Sequence, residues 1–456
     1  MIENDAFKLL LINLFHLNPD DIANILCTTF NKMMVLIVTL ADKHQACPYC
    51  GFTAPKIKEY VTKEITHSAL TTQKCIIKYR ARRYKCSCCG KTYYEFNPFV
   101  FKSQKISILT VHNILKDLKD FNETFTSVAR RYHVSPTSVS TIFDKHVDIG
   151  RNPLPEIINF DEVYAFKSEK SKYVCVLLDF KKQIPVDVLP NRKKEYLLNY
   201  FQKIPLEERK KVKYACSDMY EVYRDVVHKV FPEAKHLLDY FHLSQDFHKK
   251  MNEVRIKVMK GYKDNKASDE YYLLKKFNWL LFKNPEDEDK YGRLFDVERE
   301  RKYNSHFKSY MNYYDLRKKI LEINNDLTIC YSLKLELVDF YSKSTIDNAQ
   351  VNLEHLIRSF IDTNIEEMIK FSNNLINWKQ EIINSFTIVG TEYKVEADKG
   401  QVVVCNKKVN NAIIENRNKI IKCIKNNANG YTNWSRFRNR VMYVLDPNAT
   451  FSLEPR

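Results

Sequence analysis

Residues 157–162 read Ile-Ile-Asn-Phe-Asp-Glu, an apolar run that ends in two carboxylates. Two more apolar runs follow, at Tyr173 to Leu178 and Ile184 to Leu189. A helical pattern at Arg192 to Phe201 then precedes a last apolar run at Val212 to Cys216. Short apolar runs bounded by turn residues are typical of buried strands. The order predicts a β-β-β-α-β unit that begins after Asn152-Pro-Leu-Pro155, because proline ends a helix.

Acidic residues follow two of these apolar runs. Asp161 closes the first run and Asp218 closes the last one. If the two strands are parallel neighbours, both carboxylates lie at the same edge of the sheet and can hold Mg²⁺, which prefers oxygen ligands. Two such ions about 4 Å apart support in-line phosphoryl transfer. A third acid is normally required, and spacing alone leaves Asp179 and Glu162 open as candidates.

Two copies of one metal-binding pattern precede this unit, Cys47-Pro-Tyr-Cys50-Gly51 and Cys86-Ser-Cys-Cys89-Gly90. A two-residue gap lets both thiolates of a pair reach one tetrahedral ion, and the following glycine permits the turn. The pattern predicts a structural Zn²⁺ site formed by Cys47, Cys50, Cys86 and Cys89. Cys88 is expected to be a neighbour of the site, and His44 is an alternative candidate ligand that the four cysteines make unnecessary.

Residues 126–143 have the pattern of a helix-turn-helix. A short helix with apolar Val128 and Tyr132 meets a turn at 133–135, and Ser135 is placed to cap a second helix whose first turn contains Pro136. Such a second helix enters the major groove of DNA. The residues it would present to the bases are Thr137, Ser138, Ser140 and Thr141.

The composition favours a nucleic-acid partner. Lys and Arg number 73 against 56 Asp and Glu, a formal net charge of +17, and such an excess attracts polyanions. No apolar stretch is long enough to cross a bilayer, and the N-terminus lacks a signal-peptide pattern. The sequence therefore predicts a cytoplasmic, nucleoid-associated protein with no membrane contact.

Together these modules resemble the ISL-three family of bacterial insertion-sequence transposases, over most of the chain. Beyond the cysteine pairs and the helix-turn-helix, the motifs that carry the resemblance are Phe160-Asp161-Glu162, Val188-Leu-Pro-Asn-Arg192, Ser217-Asp218-Met-Tyr, Phe231-Pro-Glu-Ala, Leu238-Asp239-Tyr-Phe-His242, Leu274-Lys-Lys-Phe-Asn-Trp-Leu-Leu, Asn411-Ala-Ile-Ile-Glu415-Asn-Arg-Asn418-Lys-Ile-Ile-Lys422, Asn429-Gly-Tyr-Thr-Asn433 and Arg436-Phe-Arg-Asn-Arg440.

The resemblance implies an α/β catalytic core with a ribonuclease-H-like mixed sheet and a large all-helical insertion, preceded by a zinc-ribbon β module and a helix-turn-helix. It places the family's catalytic acids on Asp161, Asp218 and Glu415, which would hold two Mg²⁺ or Mn²⁺ ions. It also implies a helper role near the scissile phosphate for Asp239 and His242, with a structural histidine as the alternative for His242.

The expected division of the chain is a lead-in segment at 1–40, the zinc-binding module at 41–101, the helix-turn-helix domain at 102–150, the first part of the catalytic core at 151–240, the helical insertion at 241–400 and the C-terminal part of the core at 401–456. The backbone at 390–406 has no regular pattern. DNA contacts are assigned to basic side chains from three of these segments, Arg130, Arg131, Arg192, Lys422, Lys425, Arg438 and Arg440.

The sequence thus predicts a DDE transposase that binds the terminal inverted repeats of its insertion sequence, cleaves DNA at the element ends and joins them to target DNA, as a homodimer or higher assembly. Two alternatives stay open. One is a non-catalytic DNA-binding regulator derived from such an enzyme. The other is a nuclease without strand transfer, because a fold alone does not fix the reaction.

Overall fold

A computed structural model describes residues 2–43, 45–53, 55–68, 70–102, 104–166, 171–395 and 402–454. Its N-terminal part is one sheet preceded by a helix. The elements are α1 (Ile2–Leu14), β1 (Ile22–Phe30), β2 (Met33–Leu40), β3 (Lys56–Thr66), β4 (Cys75–Lys85) and β5 (Thr92–Tyr94). The sheet order is β1-β2-β4-β3, with β5 paired to β4. Because β2 pairs with β4, this sheet crosses the expected boundary between residues 40 and 41.

Three helices follow, α2 (Ile108–Asp117), α3 (Phe125–Arg131) and α4 (Pro136–His146). The turn between α3 and α4 contains His133 at a φ of 53°. The Ser135 side chain accepts a hydrogen bond from the backbone N–H of Ser138, and Pro136 lies in the first turn of α4. Val139 and Phe143 of α4 are buried against α3 and α2. The helix-turn-helix geometry and its cap are therefore present as the sequence pattern indicates.

A second sheet forms the middle of the chain. Its elements are β6 (Ile157–Val163), β7 (Val174–Asp179), β8 (Pro185–Leu189), α5 (Lys194–Gln202), α6 (Leu206–Arg209), β9 (Tyr214–Ser217), α7 (Glu221–Val230) and β10 (Lys235–Leu238). The strand order is β10-β9-β6-β7-β8. The strands β6, β9 and β10 run parallel, whereas β7 is antiparallel to both β6 and β8. The β-β-β-α-β order expected from the apolar runs is confirmed.

Residues 240–384 are largely helical. The helices are α8 (Tyr240–Lys260), α9 (Asp269–Lys276), α10 (Tyr313–Glu322), α11 (Asn325–Lys343), α12 (Ala349–Ile361), α13 (Glu366–Asn377) and α14 (Lys379–Asn384). Two short hairpins interrupt them, β11 (Glu288–Asp289) with β12 (Gly292–Arg293), and β13 (Lys302–Asn304) with β14 (Ser309–Met311). The expectation of an all-helical insertion is therefore wrong for this stretch. Gly292 has a φ of 96°, in the left-handed region that glycine adopts without strain and that a helix does not contain.

The chain then returns to the second sheet through a hairpin, β15 (Ile388–Val395) with β16 (Val402–Lys408), followed by α15 (Ala412–Asn427) and α16 (Trp434–Leu445). The strands lie in the stretch for which the sequence has no regular pattern, and its residues 396–401 are outside the described residues. Helices α5 and α7 cover one face of the second sheet, and α15 and α16 cover the other. This sheet is thus buried on both faces, and only its edges remain for a site.

Candidate active site

Three aspartates on neighbouring parallel strands lie in matched register, Asp161 near the end of β6, and Asp218 and Asp239 directly after β9 and β10. Asn159 of β6 pairs with Cys216 of β9, so two residues further along each strand Asp161 lies beside Asp218. On the other side of β9, Ser217 pairs with Leu238 of β10, so the next residue, Asp239, also lies beside Asp218. Adjacent strands are about 4.8 Å apart. The carboxylates therefore form a row along one sheet edge.

The side chains of Asp161 and Glu162 lie on opposite faces of the second sheet. Side chains alternate along a strand, so Asp161 lies on the face that α15 covers and Glu162 lies on the face that α7 covers. The Oδ2 of Asp161 accepts a hydrogen bond of 2.7 Å from the side chain of Asn418 in α15. Glu162 forms an ion pair with Arg192 and accepts a hydrogen bond from Tyr223 of α7. Glu162 thus has basic and phenolic partners of its own.

Asp179, the other acid that spacing left open, lies at the opposite edge of the sheet. It pairs with Ile158 near the start of β6, because β7 runs antiparallel to β6. Its Oδ1 accepts the backbone N–H groups of Lys181 and Lys182 in the following turn. Asp179 is therefore a turn-capping residue.

Glu415 lies in the first turn of α15 and joins the row of aspartates. The Nε2 of His242 lies 3.8 Å from Oε1 of Glu415 and 3.9 Å from Oδ2 of Asp239. One ligand atom from each of Asp239, His242 and Glu415 lies within 4.8 Å of the other two. Among the described residues, the acidic side chains that meet this closely with His242 are Asp239 and Glu415, which is not the expected ligand set of Asp161, Asp218 and Glu415. Asp161 is near enough for the charges of Asp218 and Glu415 to act on it, and metal binding by the expected three acids stays a prediction.

Burial raises the pKa values of the aspartates. The pKa of Asp161 rises to about 7, because the side chain is buried and the charges of Asp218 and Glu415 add to the effect. The pKa of Asp218 rises to about 6, chiefly through burial and the charge of Glu162. Burial also raises the pKa of Asp239. Like charges held close together out of water disfavour ionisation, and a divalent cation would relieve that repulsion.

Sequence reasoning missed an asparagine network behind the carboxylates. The side chain of Asn159 donates to Oδ1 of Asn411 over 2.6 Å and to the backbone oxygen of Asn410 over 2.8 Å, and Asn411 in turn donates to the backbone oxygen of Phe160. This network fixes the start of α15 to β6 and so fixes Glu415 relative to Asp161. The sequence could have indicated this arrangement, since the spacing of Asn411, Glu415 and Asn418 places all three on one face of a helix.

The four cysteines form one cluster, as expected. The Sγ atoms of Cys47 and Cys89 are 3.7 Å apart, those of Cys50 and Cys86 are 3.5 Å apart, and all four lie within 4.8 Å of one another. Sulfur ligands about 2.3 Å from a tetrahedral ion have similar separations. Gly51 and Gly90 have φ values of 73° and 71°, which only glycine adopts readily. The cluster is compatible with zinc without Cys88, and His44 is outside the described residues.

The expected base-reading residues lie on the outer side of α4. Thr137 and Thr141 are exposed, and Ser138 and Ser140 are half-buried. Ser138 and Ser140 also make local contacts, because the Ser138 hydroxyl is 2.8 Å from that of Ser135 and the Ser140 hydroxyl donates to the backbone oxygen of Thr137. DNA contacts by these four residues stay a prediction.

The basic residues assigned to DNA divide into two groups. Arg130 and Lys422 are exposed and Lys425 is half-buried, while Arg192 lies at the sheet edge beside the carboxylates. Contacts of these four with DNA stay predictions.

Three arginines are paired within the protein; Arg440 is buried, whereas Arg131 and Arg438 remain partly exposed and their contacts with DNA stay predictions. The assignment of Arg440 to DNA is wrong, because only 1% of it is exposed and it donates to the backbone oxygens of Asp120 and Glu123. Arg131 is paired with Asp117 and Glu123, and Arg438 is paired with Asp187. These guanidinium groups join the helix-turn-helix or the second sheet to neighbouring elements, a role that sequence cannot distinguish from phosphate binding.

Comparison with known proteins identifies the class. A family model described as Transposase, that of the ISL3-type DDE transposases, matches residues 158–397, which contain Asp161, Asp218, Asp239 and His242. The chain belongs to this transposase family and is an enzyme of that class. Membership in the family implies DNA binding and the use of divalent metal ions.

A particular relative extends the similarity over nearly the whole chain. The transposase for insertion sequence element IS1001 of Bordetella parapertussis is 19% identical over 409 residues, which cover 89% of this chain and 90% of the relative. No helix among the described residues has the length and apolar character needed to cross a bilayer.

Substitution of a clustered cysteine tests the zinc site. We expect the full-length protein to bind one Zn²⁺ per chain and Cys50→Ser to lose it, because three thiolates hold the ion far less tightly than four. Zinc content by mass spectrometry and thermal unfolding measure both effects. Cys88→Ser is the matched control and should retain the full zinc content; equal zinc loss in both variants would contradict the assignment of ligands.

Removing the charge of Asp161 should stabilise the metal-free protein. Its folded-state pKa of about 7 lies above the ordinary carboxyl value, so ionisation destabilises the fold increasingly from about pH 4 to pH 7, by at most about 4 kcal/mol. In EDTA, Asp161→Asn should therefore raise Tm by a few degrees at pH 8 and by less at pH 5.

The matched control for this prediction is Asp179→Asn, which removes a buried acid from the opposite sheet edge. It should not raise Tm at pH 8, because Asp179 accepts two backbone hydrogen bonds. A Tm for Asp161→Asn that is lower than wild type at pH 8 would show that the carboxylate pocket is not electrostatically strained.

Proposed function

We propose that this transposase binds the terminal inverted repeats of its own insertion sequence, hydrolyses a phosphodiester at each end and directs the freed 3′-hydroxyl against target DNA. The observation that carries the proposal is the row of Asp161, Asp218 and Asp239 at one sheet edge, with Glu415 and His242 beside it. Water and the 3′-hydroxyl are then the two nucleophiles.

The core is proposed to be ribonuclease-H-like. In support, β6, β7 and β8 form an antiparallel meander. On the other side of β6, β9 is added parallel to β6 and β10 parallel to β9, which gives the order β10-β9-β6-β7-β8. The helical segment that begins at Tyr240 separates this sheet from the helix that carries Glu415. We retain the division into core at 151–240 and 401–456 and insertion at 241–400, with the N-terminal modules before them.

The pocket fits hard divalent cations. Its donors are carboxylate oxygens with one imidazole nitrogen, and the buried Oδ2 of Asp239 has no hydrogen-bond partner among the described residues. We propose that Asp161, Asp218 and Glu415 hold two Mg²⁺ or Mn²⁺ ions, which would supply activation of the attacking oxygen and stabilisation of the leaving oxygen.

The chain's own residues prepare the pocket for this chemistry. Asn418 orients the Asp161 carboxylate through its 2.7 Å hydrogen bond. The Nε2 of His242 lies 3.9 Å from Asp239 and 3.8 Å from Glu415 and has no hydrogen-bond partner among the described residues, so we assign it a contact with a phosphate oxygen of the bound DNA. The two buried faces of the sheet exclude bulk water from the sides of the pocket, so DNA must approach along the edge.

DNA recognition is assigned to the N-terminal modules. Zinc would hold the loops of Cys47 and Cys86 together, and the exposed side of α4 would contact base edges through Thr137 and Thr141. Phosphate contacts are assigned to Arg130, Arg192, Lys422 and Lys425. Such contacts provide affinity without sequence information. We propose that the protein acts as a homodimer on DNA, because two element ends must be held together for joining. We also propose that it acts in the cytoplasm.

Strand transfer tests the proposed function. Supercoiled plasmid that carries the DNA flanking this coding sequence should yield joined products in Mg²⁺ with wild-type protein. Asp218→Asn should reduce product at least 100-fold while retaining DNA affinity within a few fold, because the variant removes one candidate ligand and leaves the basic surfaces intact. Product is measured by gel electrophoresis and affinity by fluorescence anisotropy.

The same assay separates the alternatives. Cleavage without joined products would indicate a nuclease. Binding to the element ends with neither product would indicate a DNA-binding regulator. Full activity of Asp218→Asn would exclude the carboxylate row as the site of the reaction, and Asp179→Asn, at the opposite sheet edge, is the control that should leave activity unchanged.

A further inference from the structure

A surface of alternating aromatic and cationic side chains lies next to the carboxylate row. The guanidinium of Arg192 lies close to two tyrosine rings, 4.7 Å from the centroid of Tyr173 and 4.6 Å from that of Tyr220. Tyr173 meets Tyr164 edge to face at 5.7 Å between ring centroids, and the Lys425 ammonium lies 5.6 Å from the Tyr164 ring. We call Tyr164, Tyr173, Arg192 and Tyr220 the tyrosine surface.

The sheet topology explains why this surface adjoins the candidate active site. Tyr164 directly follows β6, and Tyr173 directly precedes β7, which is antiparallel to β6. Arg192 follows β8, and Tyr220 follows β9 two residues after Asp218. All four positions therefore lie at the edge that carries the aspartates. The tyrosine surface and the carboxylate row thus lie at the same end of the strands.

Core packing does not account for the outer two rings. Tyr164 is 50% exposed and Tyr173 is 39% exposed, so a large part of each ring is open to solvent. Tyr220, by contrast, packs against buried Tyr223 at 5.2 Å, and Arg192 is paired with Glu162. Tyr220 and Arg192 are thus anchored to the protein, whereas Tyr164 and Tyr173 present their rings to solvent.

We propose that the tyrosine surface binds unpaired bases of the DNA strand next to the scissile phosphate. This inference rests on the proposed function and specifies the form of DNA that the site takes. Every base has a π-face that stacks on an aromatic ring, and single-strand sites combine such rings with cations that follow the backbone. Tyr164 and Tyr173 supply the rings, and Lys425 supplies a cation beside them.

Arg192 has a positioning role in this surface. Its ion pair with Glu162 fixes the guanidinium, which contacts the rings of both Tyr173 and Tyr220 and so connects them. A guanidinium stacks on aromatic faces more effectively than an ammonium. The structure therefore assigns Arg192 to the organisation of the tyrosine surface beside the carboxylates, in addition to its charge.

The expected consequence is a preference for DNA ends with unpaired bases. The probe is a fluorescein-labelled duplex of about 20 base pairs with a 3′ extension of three thymidines, compared with the same duplex without the extension. In an Asp218→Asn background, which prevents cleavage, anisotropy at fixed salt should show roughly tenfold tighter binding to the extended duplex. Adding Tyr164→Leu and Tyr173→Leu should abolish this preference and leave affinity for the blunt duplex within twofold.

Two control variants make the result specific. Tyr164→Phe with Tyr173→Phe retains both rings and should retain the preference. Tyr303→Leu with Tyr310→Leu removes another exposed pair, whose rings are 5.4 Å apart on the β13–β14 hairpin, and should also retain it. Unchanged blunt-duplex binding reports that the variants are folded. An absent preference in the starting protein, or one that survives the leucine substitutions, would overturn the proposal.

The outcome is independent of the strand-transfer assay. If wild-type protein forms no joined product but the leucine variant still loses the preference for extended duplex, the proposed function fails and the assigned surface stands. If joined product forms and no preference is found, the inference about unpaired bases fails alone.

Discussion

The parallel pairing of β6 with β9, and of β9 with β10, fixes the positions of the three aspartates in the candidate site. Backbone hydrogen bonds hold Asn159 opposite Cys216 and Ser217 opposite Leu238. Asp218 and Asp239 directly follow β9 and β10, and Asp161 lies at the matching position of β6. A slip of one residue would turn the side chains of that strand to the opposite face, so the sheet core and the carboxylate row depend on the same register.

Burial makes this arrangement electrostatically unfavourable in the absence of a cation. The sheet is covered on both faces, and the aspartates at its edge have pKa values well above those of carboxyls in water. Strain of this kind persists only where the surrounding packing is strong enough to hold it. Here the packing is supplied by the aromatic cluster of Phe160, Phe201 and Phe231 on one face and by α15 and α16 on the other.

Chain elements far apart in sequence meet at this site. The α15 helix returns to β6 after the whole helical segment, and Asn411 and Asn418 attach it there by hydrogen bonds to Phe160 and Asp161. The helical segment is itself joined to the sheet, because Leu238 at the end of β10 belongs to its hydrophobic core. The α16 helix continues to the helix-turn-helix, where Tyr443 donates to the backbone oxygen of Leu115. The helix-turn-helix is therefore packed against α16, the helix that follows the Glu415 helix α15.

The sequence by itself determined the local features, because each depends on neighbours within a few residues: the cysteine pairs with their glycines, the cap at Ser135, the β-β-β-α-β order, and the resemblance that indicated Asp161, Asp218 and Glu415. Only the tertiary structure decided on which face of the sheet each side chain lies and which side chains are close together. It turned Glu162 toward Arg192, placed Asp179 at the far edge, buried Arg440 beneath the helix-turn-helix, and brought Asp239 and His242 to Glu415. It also replaced part of the expected helical insertion by hairpins. These outcomes depend on contacts between residues remote in the chain, and an acid or arginine has the same identity in sequence whether it faces solvent, a helix or another charge.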